Sequence, residues 1–204
     1  VMDLSAAIAA LERGEVIVCP TETLYGLGAD ASNQKAVGKV FQLKGRDPQT
    51  PIPVIVADEK MLRLLVAEVS PITQKLMKHF WPGPLTLVLP ARAGTPKQLL
   101  NKTGGIGVRR SSQPIATQLV KELGRPLTAT SANPSGRQAA STVQAAKDYF
   151  TGQVDIFIDG GRLPSKIGST VVKITGEKIE IVREGEISAA AIQVLVDKKP
   201  VGRS

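Results

Sequence analysis

The chain is 204 residues long, 42% of them hydrophobic, and carries 26 Lys and Arg against 18 Asp and Glu, for a formal charge of +8. That length and apolar content suit one sizeable α/β domain and argue against disorder, while the charge favours anionic partners such as nucleotides, pyrophosphate or RNA without choosing among them. An aromatic content of 3% is too low for the stacking platforms of single-strand readers, a lone Cys19 excludes a disulfide framework and fits a reducing cytoplasm, and no run of about 18 apolar residues marks a membrane span.

In chain order, Leu4, Ala7, Ile8 and Leu11 recur at helical spacing until Gly14 stops the helix before a strand over Glu15 to Cys19. This first stretch has neither the basic start nor the cleavage site of a signal peptide, and the start at Val1 is read as the loss of some residues upstream. NQKAVGKVFQLKGR, residues 33–46, is helical through Val37, Val40 and Phe41, and KGRDPQTP breaks it before the apolar strand IPVIVA. SPITQKLMKHFWPGP predicts a helix stopped by Pro82 and Gly83, with LTLVLP as the next strand. GIGVRR is a short strand, PIATQLVKELG an amphipathic helix, and PLTATSAN a strand that turns polar at its end. STVQAAKDYF predicts a helix capped by Ser141 or Thr142, VDIFIDGG, STVVKITG and KIEIVREG are closing strands, and the basic tail from about Asp197 to Ser204 is expected to fray. Helix and strand alternate, which predicts one domain over 1–204 with a core at about 14–185, built as an open, twisted, mixed α/β sheet with flanking helices.

Ligands of open α/β sheets lie outside the carboxyl ends of the strands, and PTETLYG, RRSS and SANPSG all sit at such ends. In KGR, Lys44 and Arg46 are two apart in a loop broken by Gly and Pro, where an extended backbone aims both cations at one polyphosphate. From the residues alone a solvated basic loop is the more common outcome for such a charge pair. SANPSG offers Ser131, Asn133 and Ser135 as hydroxyl, amide and backbone donors for phosphate oxygens, against a plain turn. Arg109 and Arg110 point to opposite faces of a strand, so only one reaches a given site. DGGRLPSKIGST brings Ser169 and Thr170 behind a Gly-rich bend that holds Arg162 and Lys166. GLG is not GxGxxG and no GxxxxGK[ST] occurs, so neither nucleotide fingerprint applies. His79, the only histidine, reads as helix-end packing, and Cys19 as a small buried hydrophobe.

Taken together, PTETLYGLGADA, KGRDPQTPIPVIVA, FWPGPLTLVLP, GIGVRR, TATSANPSG and DGGRLPSKIGSTVV, in this order and spacing, resemble the YrdC-like, TsaC-type threonylcarbamoyl-AMP synthases, over about Gly14 to Gly185. The longer members of that family carry an additional C-terminal domain. The resemblance implies a YrdC-like fold with a positively charged concave cleft. It also implies an ATP-dependent nucleotidyltransferase that joins L-threonine, bicarbonate and ATP, with Mg²⁺, into threonylcarbamoyl-AMP and pyrophosphate. Downstream proteins would pass the threonylcarbamoyl group to a tRNA adenosine in the cytoplasm, with no membrane involved.

Carried onto this chain, the resemblance gives Lys44 and Arg46 to the ATP phosphates, as catalytic groups. Thr50, Ser131, Asn133 and Arg183 go to the nucleotide, and Thr23, Arg109 and Ser169 to L-threonine. No residue is assigned to a metal. Lys44 and Arg46 are both expected to be exposed cleft residues. Two positions depart from the pattern: Ile55 stands where some relatives have histidine, and Ala139 falls near a serine of others. The competing readings are a non-catalytic module that binds double-stranded RNA through the basic cleft, and a paralogue that makes a carbamoyl adenylate on another acceptor.

Overall fold

A computed structural model describes residues 2–47, 49–165 and 167–197. Its first helix, α1 (Ser5–Glu12), buries Ala7, Ala10 and Leu11 and leads into β1 (Ile17–Pro20), whose four residues are all buried. The chain then turns back as β2 (Tyr25–Gly28), antiparallel to β1. Helix α2 (Gln34–Lys44) is capped by the Asn33 side chain, which accepts from the amides of Lys35 and Ala36, and ends at Gly45 with φ 55°. A left-handed residue of this kind is the usual helix stop and favours glycine.

Strand β3 (Val54–Ile55) leads to α3 (Glu59–Leu65), capped by Asp58. Helix α4 (Pro71–Phe80) starts on a Ser70 cap with proline in its first turn. His79 packs edge-on against Phe80 at 4.6 Å near its end. Strands β4 (Leu85–Pro90) and β5 (Gly105–Arg109) flank a short 3₁₀ turn. Helix α5 (Pro114–Leu123) buries Leu119, Val120 and Leu123, each worth about 2 kcal/mol of apolar burial. After β6 (Leu127–Thr128) and β7 (Thr130–Ser131) comes α6 (Val143–Phe150), whose cap is Thr142. The chain closes through β8 (Ile156–Phe157), β9 (Thr170–Thr175), β10 (Lys178–Arg183) and α7 (Ala189–Asp197).

The strands form two mixed sheets, where the sequence predicts one. Four strands run in the order β7-β2-β1-β8 and six in the order β10-β9-β4-β5-β3-β6. The division falls inside PLTATSAN: Ala129 separates β6, paired with β3, from β7, paired with β2. One apolar cluster joins both sheets to α2 through Val18, Leu27, Val40, Val54, Leu87 and Val172. A second gathers Leu4, Leu11, Ile17, Ile55, Leu119 and Leu127 beneath α1 and α5. Strand β2, α3 and α7 are absent from the sequence-based expectation. The expectations for Val1, Lys166 and the tail beyond Asp197 fall outside the described residues. Among the described residues no helix is long and apolar enough to cross a membrane.

Candidate functional site

Alternation along three strands of the larger sheet prepares a concave floor. Ile106 and Val108 of β5 enter the core, so Gly105, Gly107 and Arg109 share the opposite face. Val88 pairs with Gly107 and with Lys173, which places Thr86, Val88, Val171 and Lys173 on that same face. The glycines leave room: a Cβ on Gly107 would come within 3.2 Å of Pro53 Cβ and 3.5 Å of Thr86 Cγ2. The result is a cleft of about 590 Å³ walled by β2, β7, the α2–β3 loop and β10. It therefore lies across a sheet face, whereas the sequence reading puts it beyond the strand ends. Side-chain-free positions in mid-strand are the physical reason.

Seven of the nine expected site residues meet here: Thr23, Arg46, Thr50, Arg109, Ser131, Ser169 and Arg183 line the cleft. Thr23 belongs to a turn that Thr21 builds; the Thr21 hydroxyl accepts from the amides of Thr23 and Leu24 and donates to the Leu24 carbonyl. Buried Arg109 donates from Nη1 to the Thr23 hydroxyl at 3.5 Å, and its Nε is buried without a partner. Arg110, as alternation requires, is exposed. Ser169 shares a 2.9 Å hydrogen bond with Thr86, and Arg183 donates to the Ser169 carbonyl at 2.8 Å. Arg46 is held by the Thr130 hydroxyl and the Pro51 carbonyl.

Lys44 and Asn133 do not line the cleft, and Lys44 corrects the expectation of an exposed side chain. Extended backbone is what aims two residues at one ligand, but Gly45 makes KGR a helix C-cap, so Lys44 closes α2 and only Arg46 continues to the cleft. Lys44 is 4% exposed and its Nζ donates to the carbonyls of Ser131 and Asn133 at 2.6 and 2.8 Å. The Ser135 amide donates back to the Lys44 carbonyl. Asn133 turns inward, donating to the carbonyls of Pro134 and Arg137, with Oδ1 buried and unpaired. The SAN loop is thus braced from behind. Ile55 pairs with Arg109 across β3 and β5 but is buried in the second apolar cluster and does not line the cleft, while Ala139 lines it. Arg162 is exposed and is not on the cleft wall.

Two residues that the sequence reading leaves out bear on the site. Lys173 stands on the floor two positions beyond Val171, and extending the alternation from Ser169 along β9 finds it. Glu22, behind Arg109, has no sequence signal beyond being the one acid in the PTET burst. Cationic side chains of Arg46, Arg109, Lys173 and Arg183 line the cleft, and among the described residues no carboxylate does. Burial lowers the pKa of Arg46, Arg109 and Arg183; Arg183 pushes Arg46 further down, and Arg109 does so to Arg183. Mutually repelling cations over a roomy, hydroxyl-lined floor form a receptor for a multiply charged anion. Cys19 is no competitor for the chemistry, since burial pushes its thiol up to about 12. No group of three or more His, Cys, Asp or Glu gathers as a metal cage among the described residues.

The fold and cleft define an α/β protein with a cationic, hydroxyl-lined hollow across a sheet face. The sequence model of the Sua5/YciO/YrdC family, described as telomere recombination, matches residues 9–185, and the chain belongs to that family. It is similar to a threonylcarbamoyl-AMP synthase of Pyrococcus abyssi, with 33% identity over 186 residues, 91% of this chain and 55% of that protein. A putative threonylcarbamoyl-AMP synthase of Methanocaldococcus jannaschii is 37% identical over 175 residues, 86% of this chain and 82% of that one. Among solved structures, P. abyssi Sua5 complexed with L-threonine has a TM-score of 0.90 at 33% identity, covering 94% of this chain and 56% of that chain. Escherichia coli YciO has a TM-score of 0.83 at 30% identity, covering 92% and 91%. The chain spans about half the length of the curated relatives from P. abyssi and Bacillus subtilis.

Proposed function

We propose that this protein is an L-threonylcarbamoyladenylate synthase acting in tRNA modification in the cytoplasm. The observation that carries the reading is Arg109: a buried guanidinium at one end of the cleft, with Nε unpaired and the Thr23 hydroxyl beside it. A carboxylate satisfies that geometry, and a relative of the same fold is complexed with L-threonine. Ser169 lies nearby through Thr86. Arg46 and Arg183 take the phosphates of ATP, Thr50 and Ser131 flank the nucleotide, and Lys44 with Asn133 shapes the loop from which Ser131 projects. Mg²⁺ arrives on the triphosphate as part of the substrate.

The reaction needs no protein nucleophile. The threonine amine condenses with bicarbonate to a carbamate and water. A carbamate oxygen then attacks the α-phosphorus while pyrophosphate leaves. Positioning lowers the entropic part of the barrier, and fixed cations stabilise charge that develops on the phosphates. A cleft of about 590 Å³ accommodates a nucleotide and an amino acid, which favours this reading over a surface for duplex RNA.

The test is pyrophosphate release from MgATP with bicarbonate, comparing L-threonine, L-serine, L-valine and no amino acid. Release that requires both bicarbonate and L-threonine is expected. Release stimulated by another acceptor would turn the reading to a paralogue, and salt-sensitive RNA binding without turnover would replace it with a binding module. In the same assay Arg46→Ala is expected to raise the ATP requirement about tenfold, the loss of one charge-assisted phosphate contact. Its melting temperature should stay near wild type, because Arg46 is only partly buried. An unchanged ATP requirement would remove Arg46 from the phosphate path.

A further inference from the structure

Among the described residues no carboxylate lines the cleft, yet one stands directly behind its arginine. Glu22 Oε1 is 3.3 Å from Arg109 Nη1, with the side chains 11% and 6% exposed. Oε1 is buried and accepts no hydrogen bond, so the pairing is ionic contact between groups with little water to screen it. The other oxygen, Oε2, accepts from the Ser111 hydroxyl, and that hydroxyl in turn accepts from the Gln113 amide at the start of α5. Arg109 ends β5 and Ser111 follows two residues later. One strand exit therefore supplies both the guanidinium and the hydroxyl that fixes its counter-ion.

A guanidinium is planar, so orienting one nitrogen orients all three. Glu22 and Thr23 engage Nη1, which leaves Nε unpaired. Resting on the reading above, we propose that Glu22 is a positioning residue: its carboxylate, latched by Ser111, holds Arg109 by Nη1 so that the Nε edge is presented to the carboxylate of the amino-acid substrate. Glu22 is not on the cleft wall and touches no substrate. Its charge also compensates Arg109, which otherwise would be a buried cation without a partner.

The experiment combines two readouts on Glu22→Ala, Glu22→Gln and Ser111→Ala. The first is the ¹⁵Nε–H NMR signal of Arg109, assigned by its loss in Arg109→Lys. The second is calorimetric affinity for L-threonine and, separately, for ATP. A distinct, slowly exchanging signal is expected in wild type and Glu22→Gln, which keeps an acceptor for Nη1 and an amide for Ser111, and a broadened one in Glu22→Ala. L-threonine affinity should fall at least about tenfold in Glu22→Ala and recover to within about threefold in Glu22→Gln, while ATP affinity changes less than about twofold. If Glu22→Ala does not fold, Ser111→Ala carries the test: both charges stay, the latch is gone, and a loss of roughly threefold or more is expected. A wild-type signal with wild-type L-threonine affinity in Glu22→Ala, or in Ser111→Ala in its place, overturns the proposal. Wild-type protein that binds no L-threonine while the signal still depends on Glu22 would remove the amino-acid reading and leave the placement of Arg109 standing.

Discussion

If the proposed activity holds, Arg109→Ala is expected to raise the L-threonine requirement about 100-fold, roughly 3 kcal/mol of binding, while the ATP requirement moves less than about threefold. The magnitude follows from burial. Arg109 is 5% exposed, its Nε lacks any protein partner, and a carboxylate reaching it exchanges an unsatisfied buried donor for a charge-assisted hydrogen bond. The separation of the two substrates follows from place, since Arg109 ends β5 beside Thr23, whereas Arg46 enters from the α2–β3 loop. Alanine also strands Glu22, whose carboxylate then keeps only the Ser111 hydroxyl, so the variant is expected to melt earlier than wild type. Adding Glu22→Gln removes the stranded charge, and the double variant should regain melting temperature without regaining L-threonine. Initial-rate kinetics with each substrate varied at saturating levels of the other decide the matter. An equal rise in both requirements would mean that Arg109 supports the cleft as a whole and does not grip the amino acid.

How far the sequence carries depends on whether a residue's neighbours in space are also its neighbours along the chain. The alternation in GIGVRR is local, and it correctly sends Arg109 and Arg110 to opposite faces, the first onto the cleft and the second to solvent. Caps are local too: Asn33, Ser70 and Thr142 start their helices where the spacing predicts. Strand β2 is not legible, because YGLG lacks the branched residues of a usual strand. Its glycines answer to distant atoms: a Cβ on Gly26 would meet the Thr130 carbonyl at 3.3 Å, and one on Gly28 the Leu127 side chain at 3.2 Å. The division into two sheets is hidden for the same reason, since it depends on β3 and β2 taking opposite ends of one short segment. Within the candidate site, residue types were readable but directions were not. KGR names two cations, and the left-handed turn at Gly45 sends one to the cleft and the other behind it.

Lys44 yields the second large effect, and its signature is a pH dependence. Burial, with help from the charge of Arg46, lowers its pKa from 10.5 to about 8. The unfolded chain keeps the proton up to the ordinary value, so between about pH 8 and 10.5 the unfolded state binds more protons than the folded one. Stability therefore rises with pH across that window, and the cost of burying the charge is fully present below it. The gain is of order 3 kcal/mol by pH 10.5. Lys44→Met keeps most of the apolar stem but has no charge to release, and it leaves the carbonyls of Ser131 and Asn133 without their donor. Denaturant unfolding of both proteins across the window cancels every other group that titrates. The stability of wild type relative to Lys44→Met should climb steadily above pH 8, whereas parallel curves would show that the two carbonyls offset the cost of burying the charge and leave the amine its ordinary pKa. Because Lys44 braces the loop from which Ser131 enters the cleft, the variant should also raise the ATP requirement at neutral pH while the L-threonine requirement stays within about threefold. An ATP requirement unmoved by Lys44→Met, with the stability effect intact, would confine Lys44 to the fold.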